Sequence, residues 1–338
     1  MWSPVFLKRF IQSSLLPVLL SLLAIASPSL AMGEEASYEG PIYVSVVILD
    51  VDSISSANQS FTINYYAQFR WTDPELAHPG PGLIRRNLSE IPAPRFILLN
   101  QQKTWSSLIN VVDISPEGEA IYRQRLWGDF SQPLHLHDFP FDGHSFELPI
   151  IGVGDLGEEV VLLPDPDRPS FIAEKLSVAD WRIKEFKSES REIELIDEAV
   201  VKGFVFSFTA ERIFNHYVIK FIIPLILIVA MSWVVFWIDP TEAGSQLSVA
   251  VTAALTLIAY HIALAGKLPD IPYLTRMDLF LFCSTLLVFS ALLEVVLTSR
   301  LARDGRLVLA RRFDQVCRLL FPAAYVAIAA WALGTSTA

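Results

Sequence analysis

Cysteine is nearly absent from this 338-residue chain: residues 1–282 contain none, and Cys283 and Cys317 both lie in apolar C-terminal segments. No disulfide can therefore stabilise the N-terminal part, which must be held together by a packed core. The chain also lacks a nucleophile-and-base pair, a glycine-rich phosphate-binding loop and the histidine spacing of zinc hydrolases. These absences argue against an enzyme, and we expect no cofactor and no resident metal.

Basic residues are scarce as well. The chain has 26 Lys and Arg against 36 Asp and Glu, a net charge of −10, so we expect no nucleic-acid partner. Residues 32–213 alone hold 29 acidic and 15 basic residues, a net charge of −14. The mean hydropathy of the whole chain is nevertheless +0.43, too apolar for an ordinary soluble protein. We therefore expect an acidic soluble domain, which attracts cations to its surface, joined to an apolar part.

Residues 1–31 have the pattern of a secretory signal peptide. Lys8 and Arg9 precede the apolar run LLPVLLSLLAIA, and Ser29 and Ala31 are small residues at the expected cleavage site. The domain that follows is then predicted to lie outside the cytoplasm. An uncleaved anchor helix is the alternative, although Pro17 interrupts a run that is already short.

Residues 32–213 read as short strands. Residues 62–71 alternate strictly, with aromatic and aliphatic side chains on one face and mostly polar ones on the other. Further strands are predicted at 44–51, 120–126, 145–150, 181–186 and 204–208, separated by turn clusters such as HPGPG and PDPDRP. This pattern predicts one all-β, immunoglobulin-like sandwich.

Residues 214–338 are predicted to form an all-α transmembrane domain. Its four apolar segments, each long enough to cross a bilayer, lie at 214–238, 243–266, 273–298 and 313–334. Five arginines between the third and fourth segments place that connection in the cytoplasm by the positive-inside rule. We therefore expect a multi-pass protein of the cell (inner) membrane, with its N-terminal domain and C-terminus on the periplasmic or extracellular side.

The second apolar segment carries a weakly polar stripe. If it is a helix, one face is formed by residues at steps of 4, 3, 4 and 3: Ser248, Thr252, Leu255, Ala259 and Ile262. Such a stripe either packs on a neighbouring helix or faces water in a pore. The segment by itself leaves both possibilities open.

Three motifs occur in a characteristic order along the chain. They are LHLHDFPFDGHSF at 134–146, the proline-containing segment IIPLILIVAMSWVVFW at 222–237, and KLPDIPYLT at 267–275. With the β-sandwich and the four helices, this order resembles the pentameric ligand-gated ion channels, and specifically their prokaryotic members, which lack the cysteines that flank the first motif in animal receptors. The resemblance implies a homopentamer in membrane lipid that opens to a small molecule or to protons when its second helices tilt.

The resemblance also implies roles for individual residues. The stripe would line the pore, with Leu255 and Ile262 as hydrophobic rings. Coupling between the two domains would involve Asp50, Asp52, Phe139, Pro140, Phe141, Asp142, Arg212, Pro269, Pro272 and Tyr273, with Asp142 paired to Arg212. Ser55 and Ser56 stand where some proton-activated relatives have carboxylates, which argues against proton sensing at that turn.

Two histidine-containing features have alternative interpretations. His135, His137 and His144, with Asp138 and Asp142 among them, have residue types that bind zinc, but the same loop docks on the membrane domain in the family. His261, one residue before the predicted lining residue Ile262, is either a packed, hydrogen-bonded residue or a pH sensor.

The agonist pocket of the family lies between subunits, and its implied residues here are Tyr66, Arg95, Arg125, Val153 and Glu198. Because the stretches that match this pocket contain few aromatic residues and two arginines, we expect a small carboxylate ligand. The alternative is that both arginines pair with surface acids such as Glu198.

Charge selectivity should depend on residues just outside the pore helix. Asp239 and Glu242 precede it and would form acidic rings at the inner mouth, while Lys267 and Asp270 offset each other at the outer mouth. We expect permeating monovalent cations. The rival to the channel interpretation is a membrane-anchored, non-conducting sensor or adhesion sandwich.

Overall fold

The computed structural model describes residues 40–154, 159–195, 200–266 and 271–334. The predicted signal peptide at 1–31 lies outside these ranges. Four residues with predicted roles also lie outside them: Glu198, Lys267, Pro269 and Asp270.

Two sheets form the N-terminal domain. The eight-stranded sheet contains β1 Ile42–Ser55, β2 Ser60–Thr72, β3 Ile84–Asn87, β5 Gln101–Ser106, β6 Val111–Ile114, β7 Glu119–Ser131, β10 Leu162–Pro164 and β11 Phe171–Ile172. The five-stranded sheet contains β4 Arg95–Leu98, β8 Gly143–Val153, β9 Glu159–Val160, β12 Trp181–Glu194 and β13 Val200–Arg212. The strand orders are β10-β1-β2-β7-β6-β3 and β12-β13-β8-β4, so the predicted β-sandwich is present.

The alternation of side chains explains how the sheets pack. In β2 every second residue from Phe61 to Trp71 is buried, because successive side chains of a strand point to opposite faces. Phe61 lies 5.2–5.9 Å, between ring centroids, from Phe130, Phe146 and Phe208, which come from both sheets. The six predicted strands are all present but longer than expected. The shorter strands between them, of two to six residues, were not predicted, since such short segments carry too little periodicity.

Four helices follow the sandwich, and each is long and apolar enough to cross a membrane. They are α1 Asn215–Trp237, α2 Ala243–Leu264, α3 Arg276–Arg303 and α4 Leu307–Gly334. Helix α1 is irregular, because a π-helical turn at Val218–Ile222 precedes Pro224, whose ring cannot donate a backbone hydrogen bond.

The boundaries of α3 and α4 differ from the predicted 273–298 and 313–334. A capping box between Thr275 and Asp278 starts α3 three residues later than expected. At the connection between α3 and α4 hydropathy falls where the arginines begin, but both helices continue into this arginine-rich segment, and only a short turn separates them. Gly305, with a φ of 77°, closes that turn.

Candidate functional site

The predicted pore stripe forms one continuous uncovered face of α2. Leu255 and Ile262 are 61% and 73% exposed, and Ser248, Thr252 and Ala259 are exposed as well. The opposite face of α2 is buried against the other helices. It consists of three small residues, Ala250, Ala253 and Ala254, and three larger ones, Gln246, Leu257 and Leu264. The stripe therefore does not pack on a helix of its own subunit within the described part of the chain.

Two exposed hydroxyl groups of α2, one in the stripe and one beside it, are held in place by the helix itself. Thr252 Oγ1 donates to the carbonyl of Ser248 at 2.7 Å, and Thr256 Oγ1 donates to the carbonyl of Thr252 at 2.8 Å. A threonine bonded in this way turns its oxygen lone pairs outward, where water or an ion can approach. The N-terminal half of the stripe thus presents hydrogen-bond acceptors, and the C-terminal half presents aliphatic groups.

The acidic residues before α2 have different environments. Asp239 accepts hydrogen bonds from the backbone and side chain of Thr241 and from Arg311, whose guanidinium lies 2.9 Å away. Hydrogen bonds from Thr241 and the nearby charge of Arg311 lower the pKa of Asp239. Glu242 is exposed and forms no ion pair among the described residues. Arg311 thus offsets the charge of Asp239, whereas no ion pair within the described residues offsets that of Glu242.

Arg212 lies at the junction between the sandwich and the helices. Its Nε and Nη2 atoms donate to the two carboxylate oxygens of Asp142 at 2.7 and 2.9 Å, so the predicted ion pair is present and bidentate. Nη2 also donates to Ser56 at 2.7 Å, and Nη1 lies 3.4 Å from the hydroxyl of Tyr217. The guanidinium packs over the rings of Trp181 and Phe139, 4.2 and 4.9 Å from their centroids.

The ion pair between Arg212 and Asp142 is buried, so the pKa of Asp142 depends on the groups that bond to it. The side chains of Arg212 and Asp142 are only 3% and 1% exposed. Burial by itself would raise the pKa of Asp142, but hydrogen bonds from His144 and Arg212 outweigh it and lower the pKa to about 2. Asp142 is thus a carboxylate at neutral pH, and it connects the loop at 134–146 to the last residue of β13.

The loop at 134–146 also contacts the helices directly. The hydroxyl of Tyr273 donates to the carbonyl of Leu134 and accepts from the backbone N–H of Leu136, and the carbonyl of Phe139 accepts from the N–H of Met277 at 3.3 Å. Asp138 forms a 2.8 Å ion pair with Arg276 at the start of α3. The loop therefore contacts both α3 and the residues that precede it.

The aromatic residues of the loop reach α1. Phe139 packs edge-on against Tyr217 at 5.0 Å, and Phe141 lies 5.1 Å from Phe214. Pro140, between them, is buried, whereas Pro272 is exposed.

Asp50 and Asp52, predicted as coupling residues, both lie on β1. Asp50 accepts hydrogen bonds from the backbone and hydroxyl of Ser177 at 2.7 and 2.6 Å, and Asp52 accepts one from Trp127 Nε1. Both carboxylates thus bond within the sandwich. Ser56, which follows them in the same β1–β2 segment and was not among the predicted coupling residues, contacts Arg212. The coupling role of Asp50 and Asp52 stays a prediction.

The predicted ligand residues fall into two groups on different sheets. Arg95 and Val153 are cross-strand neighbours on β4 and β8, while Tyr66 and Arg125 are cross-strand neighbours on β2 and β7. Within the described part of the chain, neither arginine pairs with a carboxylate; Arg125 donates to Asn64 at 3.3 Å. We refer to Arg95 with Val153 as the first half-site and to Tyr66 with Arg125 as the second half-site.

Two further arginines belong to the second half-site and were not predicted. Arg123 and Arg168 both donate to Gln68 Oε1, at 3.1 and 2.8 Å, and Arg123 also bonds to Tyr66. Burial raises the pKa of Tyr66 although these arginines oppose the shift. The missed signal was the two-residue spacing of Arg123 and Arg125, which places both on one face of β7.

The histidines have structural partners. His144 Nε2 donates to Asp142 at 2.8 Å, and the ring of His137 lies 4.2 Å from that of Tyr273. His261 lies within hydrogen-bonding distance, 3.2 Å, of Thr285 on α3. Among the residues that the structure describes, no group of three or more His, Cys, Asp or Glu side chains could hold a metal ion.

Comparisons with known proteins cover both parts of the chain. Residues 31–214 match the neurotransmitter-gated ion-channel ligand binding domain, and residues 221–306 match the neurotransmitter-gated ion-channel transmembrane region. The chain is 27% identical to the gamma-aminobutyric acid receptor subunit beta-4 of Gallus gallus over 260 residues, which covers 74% of this chain and 53% of that protein. It is 24% identical to the gamma-aminobutyric acid receptor subunit rho-2 of Bos taurus over 294 residues, covering 83% and 63%. The chain thus spans a little over half the length of these relatives.

Proposed function

This chain belongs to the neurotransmitter-gated ion-channel family, and from that premise we propose that five identical subunits surround a pore that conducts ions passively when a ligand binds the outer domain. The observation that carries the proposal is the uncovered face of α2. Within the described part of the chain, no other element of the subunit covers Leu255, Ile262 and the hydroxyl-bearing residues below them. Five copies of this face around an axis would form a continuous lining.

The gate is assigned to the aliphatic part of the lining. A ring of five Leu255 side chains, with Ile262 two turns above, repels water when the helices are close together, and a dewetted constriction blocks ions without closing completely. Tilting of α2 would widen the ring and allow it to fill with water. Ser248 and Thr252 would then form the narrower, hydroxyl-lined path.

Transmission of the signal is assigned to Arg212 and its partners. The guanidinium contacts the β1–β2 turn through Ser56, the loop at 134–146 through Asp142, and α1 through Tyr217. A change in the sandwich that shifts either of the first two contacts therefore acts on the start of α1. The direct contacts of the loop with α3 provide a second route.

The ligand is proposed to be a small carboxylate bound between subunits. Arg95 comes from one half-site and Arg125, with Arg123 and Arg168 nearby, from the other. The two relatives are named as receptor subunits for gamma-aminobutyric acid, a small molecule with a carboxylate at one end and an ammonium at the other. Guanidinium groups bind carboxylates through paired hydrogen bonds, which fits this class of ligand.

Cation selectivity is proposed on the basis of Glu242. Five exposed glutamates near the inner mouth would attract cations and repel anions, and the charge of −14 on residues 32–213 would enrich cations above the pore. At physiological salt the second effect reaches only about one Debye length, ~8 Å. The local ring is therefore expected to dominate.

Recording currents from the purified protein in a planar bilayer tests the proposal. We expect ligand-dependent conductance, a pentamer by mass measurement, and a reversal potential that shifts towards the cation equilibrium potential in a salt gradient. A silent, monomeric protein would instead support the non-conducting sensor. A conducting pentamer whose reversal potential follows chloride would retain the channel and remove cation selectivity.

A further inference from the structure

Two carboxyl groups are buried together between α3 and α4. Glu294 is 4% exposed and Asp314 is 1% exposed, and the two side chains interact directly with each other. All four of their carboxyl oxygens are buried, and none has a hydrogen-bond donor among the described residues. An acidic residue within a membrane-spanning helix is costly, and two facing each other without a donor require a physical explanation.

Among the described residues, no basic side chain forms an ion pair with either carboxyl group. The charge of Arg318, on α4, acts on Asp314, but its Nε donates to the carbonyl of Phe236 at 2.8 Å and its guanidinium lies over the ring of Trp237. Asp239, from the connection between α1 and α2, adds a negative charge that Arg311 already pairs. Cys317 also lies beside the two carboxyl groups, and its thiol is buried.

A single proton resolves the difficulty. Two buried carboxylates in contact cannot both remain ionised, because their repulsion is not screened by water and each has lost its hydration. When one carboxyl group holds a proton, its O–H donates to the other, which satisfies an oxygen on each side. The same arrangement, two carboxyl groups that share one proton, occurs where acidic side chains are forced together in enzymes.

We propose that Glu294 and Asp314 form a proton-binding site that fastens α4 to α3 near the cytoplasmic side of the membrane. Glu294 lies nine residues before Arg303, the end of α3, and thus ~13 Å from it along the helix. Asp314 lies seven residues after Leu307, the start of α4. Loss of the proton at high cytoplasmic pH leaves two adjacent negative charges and weakens the packing of the two helices. This site is independent of the proposed ligand pocket and pore.

The sign of the pH effect follows from proton binding. In the unfolded chain both carboxyl groups are ionised at neutral pH. The folded protein holds a proton there, so folding takes one up. The stability contributed by the shared proton is therefore complete below about pH 4, where the unfolded carboxyl groups are protonated as well, and it falls as the pH rises above that range until the folded pair loses its proton. This direction is opposite to that of Asp142, whose contribution is lost in acid.

Infrared spectroscopy of the full-length protein in detergent tests the shared proton directly. At neutral pH the parent should show the C=O stretch of a protonated carboxylic acid, and the double variant E294Q/D314N should lack it. Alkaline pH should remove the band from the parent. A parent spectrum without such a band at neutral pH, or a band that persists in the double variant, overturns the proposal.

Thermal unfolding provides the second measurement. From about pH 6 to about pH 10 the unfolding temperature of the parent should fall by more than that of E294Q/D314N, which has no titratable group at the site. If the double variant does not assemble, E294Q alone replaces it in this comparison, because the amide of Gln supplies a permanent hydrogen-bond donor to Asp314. S284A is the matched control: it removes a fully buried hydroxyl of α3 that donates to the carbonyl of Phe280 at 2.7 Å, and it should keep the parental pH profile. Equal pH profiles for the parent and the variants at Glu294 and Asp314 would refute the site.

Discussion

Replacing Asp142 by Asn should impair gating more than assembly, because it changes the charge of a single contact at the junction. The amide oxygen of Asn can still accept one hydrogen bond from Arg212, but it cannot form the second or neutralise the guanidinium. Removing one partner of a buried ion pair typically costs 3–5 kcal/mol, and the retained hydrogen bond recovers about 1 kcal/mol. We therefore expect a loss of about 2–4 kcal/mol in the interactions that hold Arg212.

The effect on gating depends on how this loss divides between the closed and open states. If the pair is tighter in one state by only about 1.4 kcal/mol, its loss shifts the ligand concentration for half-maximal current tenfold. The assay is a concentration–response curve recorded from reconstituted pentamers, with the oligomeric state checked by size-exclusion chromatography and light scattering. Pentamers of the variant that form and respond like the parent would remove the pair from the mechanism.

A matched control lies in the same domain, far from the membrane. Asp165 is fully buried and accepts two hydrogen bonds from Arg70, at 3.1 and 2.7 Å, near the ends of β1 and β2 opposite to the junction. Asp165 also accepts a hydrogen bond from the backbone N–H of Arg168, so the comparison uses the maximal open probability, which does not depend on ligand affinity. Asp165→Asn should lower the unfolding temperature of the sandwich as Asp142→Asn does, yet leave this maximum in place. A similar change of the maximum in both variants would mean that gating responds to general destabilisation of the domain.

The same carboxylate predicts an acid dependence. Since the pKa of Asp142 is lowered from 3.8 to about 2, its contribution to stability is complete above about pH 4 and is lost as the pH falls towards 2. The shift corresponds to about 2 kcal/mol. Unfolding free energies measured across this range should fall more steeply in the parent than in Asp142→Asn. Parallel curves would contradict the assigned ionisation.

Three further predictions concern the pore and the pocket. Leu255→Ser should lower the stimulus needed for opening or cause leak at rest, since a polar ring stays wet at smaller radii. Thr256→Ser, off the stripe, should behave like the parent. Single-channel recordings measure the open probability, and an unchanged open probability in the Leu255 variant would place the gate elsewhere. Binding of a small carboxylate, followed by calorimetry, should fall at least tenfold in the double variant Arg95→Ala and Arg125→Ala, and undiminished affinity would exclude these arginines. Glu242→Gln should reduce the cation-to-anion permeability ratio severalfold in reversal-potential measurements, and an unchanged ratio would place the filter at another ring.

Much of the architecture follows from local physical constraints on the sequence. A membrane-spanning helix must satisfy its own backbone hydrogen bonds over about 20 apolar residues, so four such segments could be located before any contact was known. Alternation with a period of two located the long strands in the same way, because one face of each had to be buried. The stripe on α2 was also visible, since steps of three and four residues align on a helix whatever surrounds it.

Only the tertiary structure decided which polar groups meet, because such contacts join residues far apart in the chain and leave no period in the sequence. Arg212 donates a hydrogen bond to Ser56, 156 residues earlier in the chain. Asp50 and Asp52, a few residues before Ser56, accept hydrogen bonds from Ser177 and Trp127 instead. Arg311 reaches Asp239 across 72 positions and thereby offsets one of the two charges expected at the inner mouth. Glu294 lies within an apolar helix, and only the packing of α4 shows that its neighbour is a second carboxyl group.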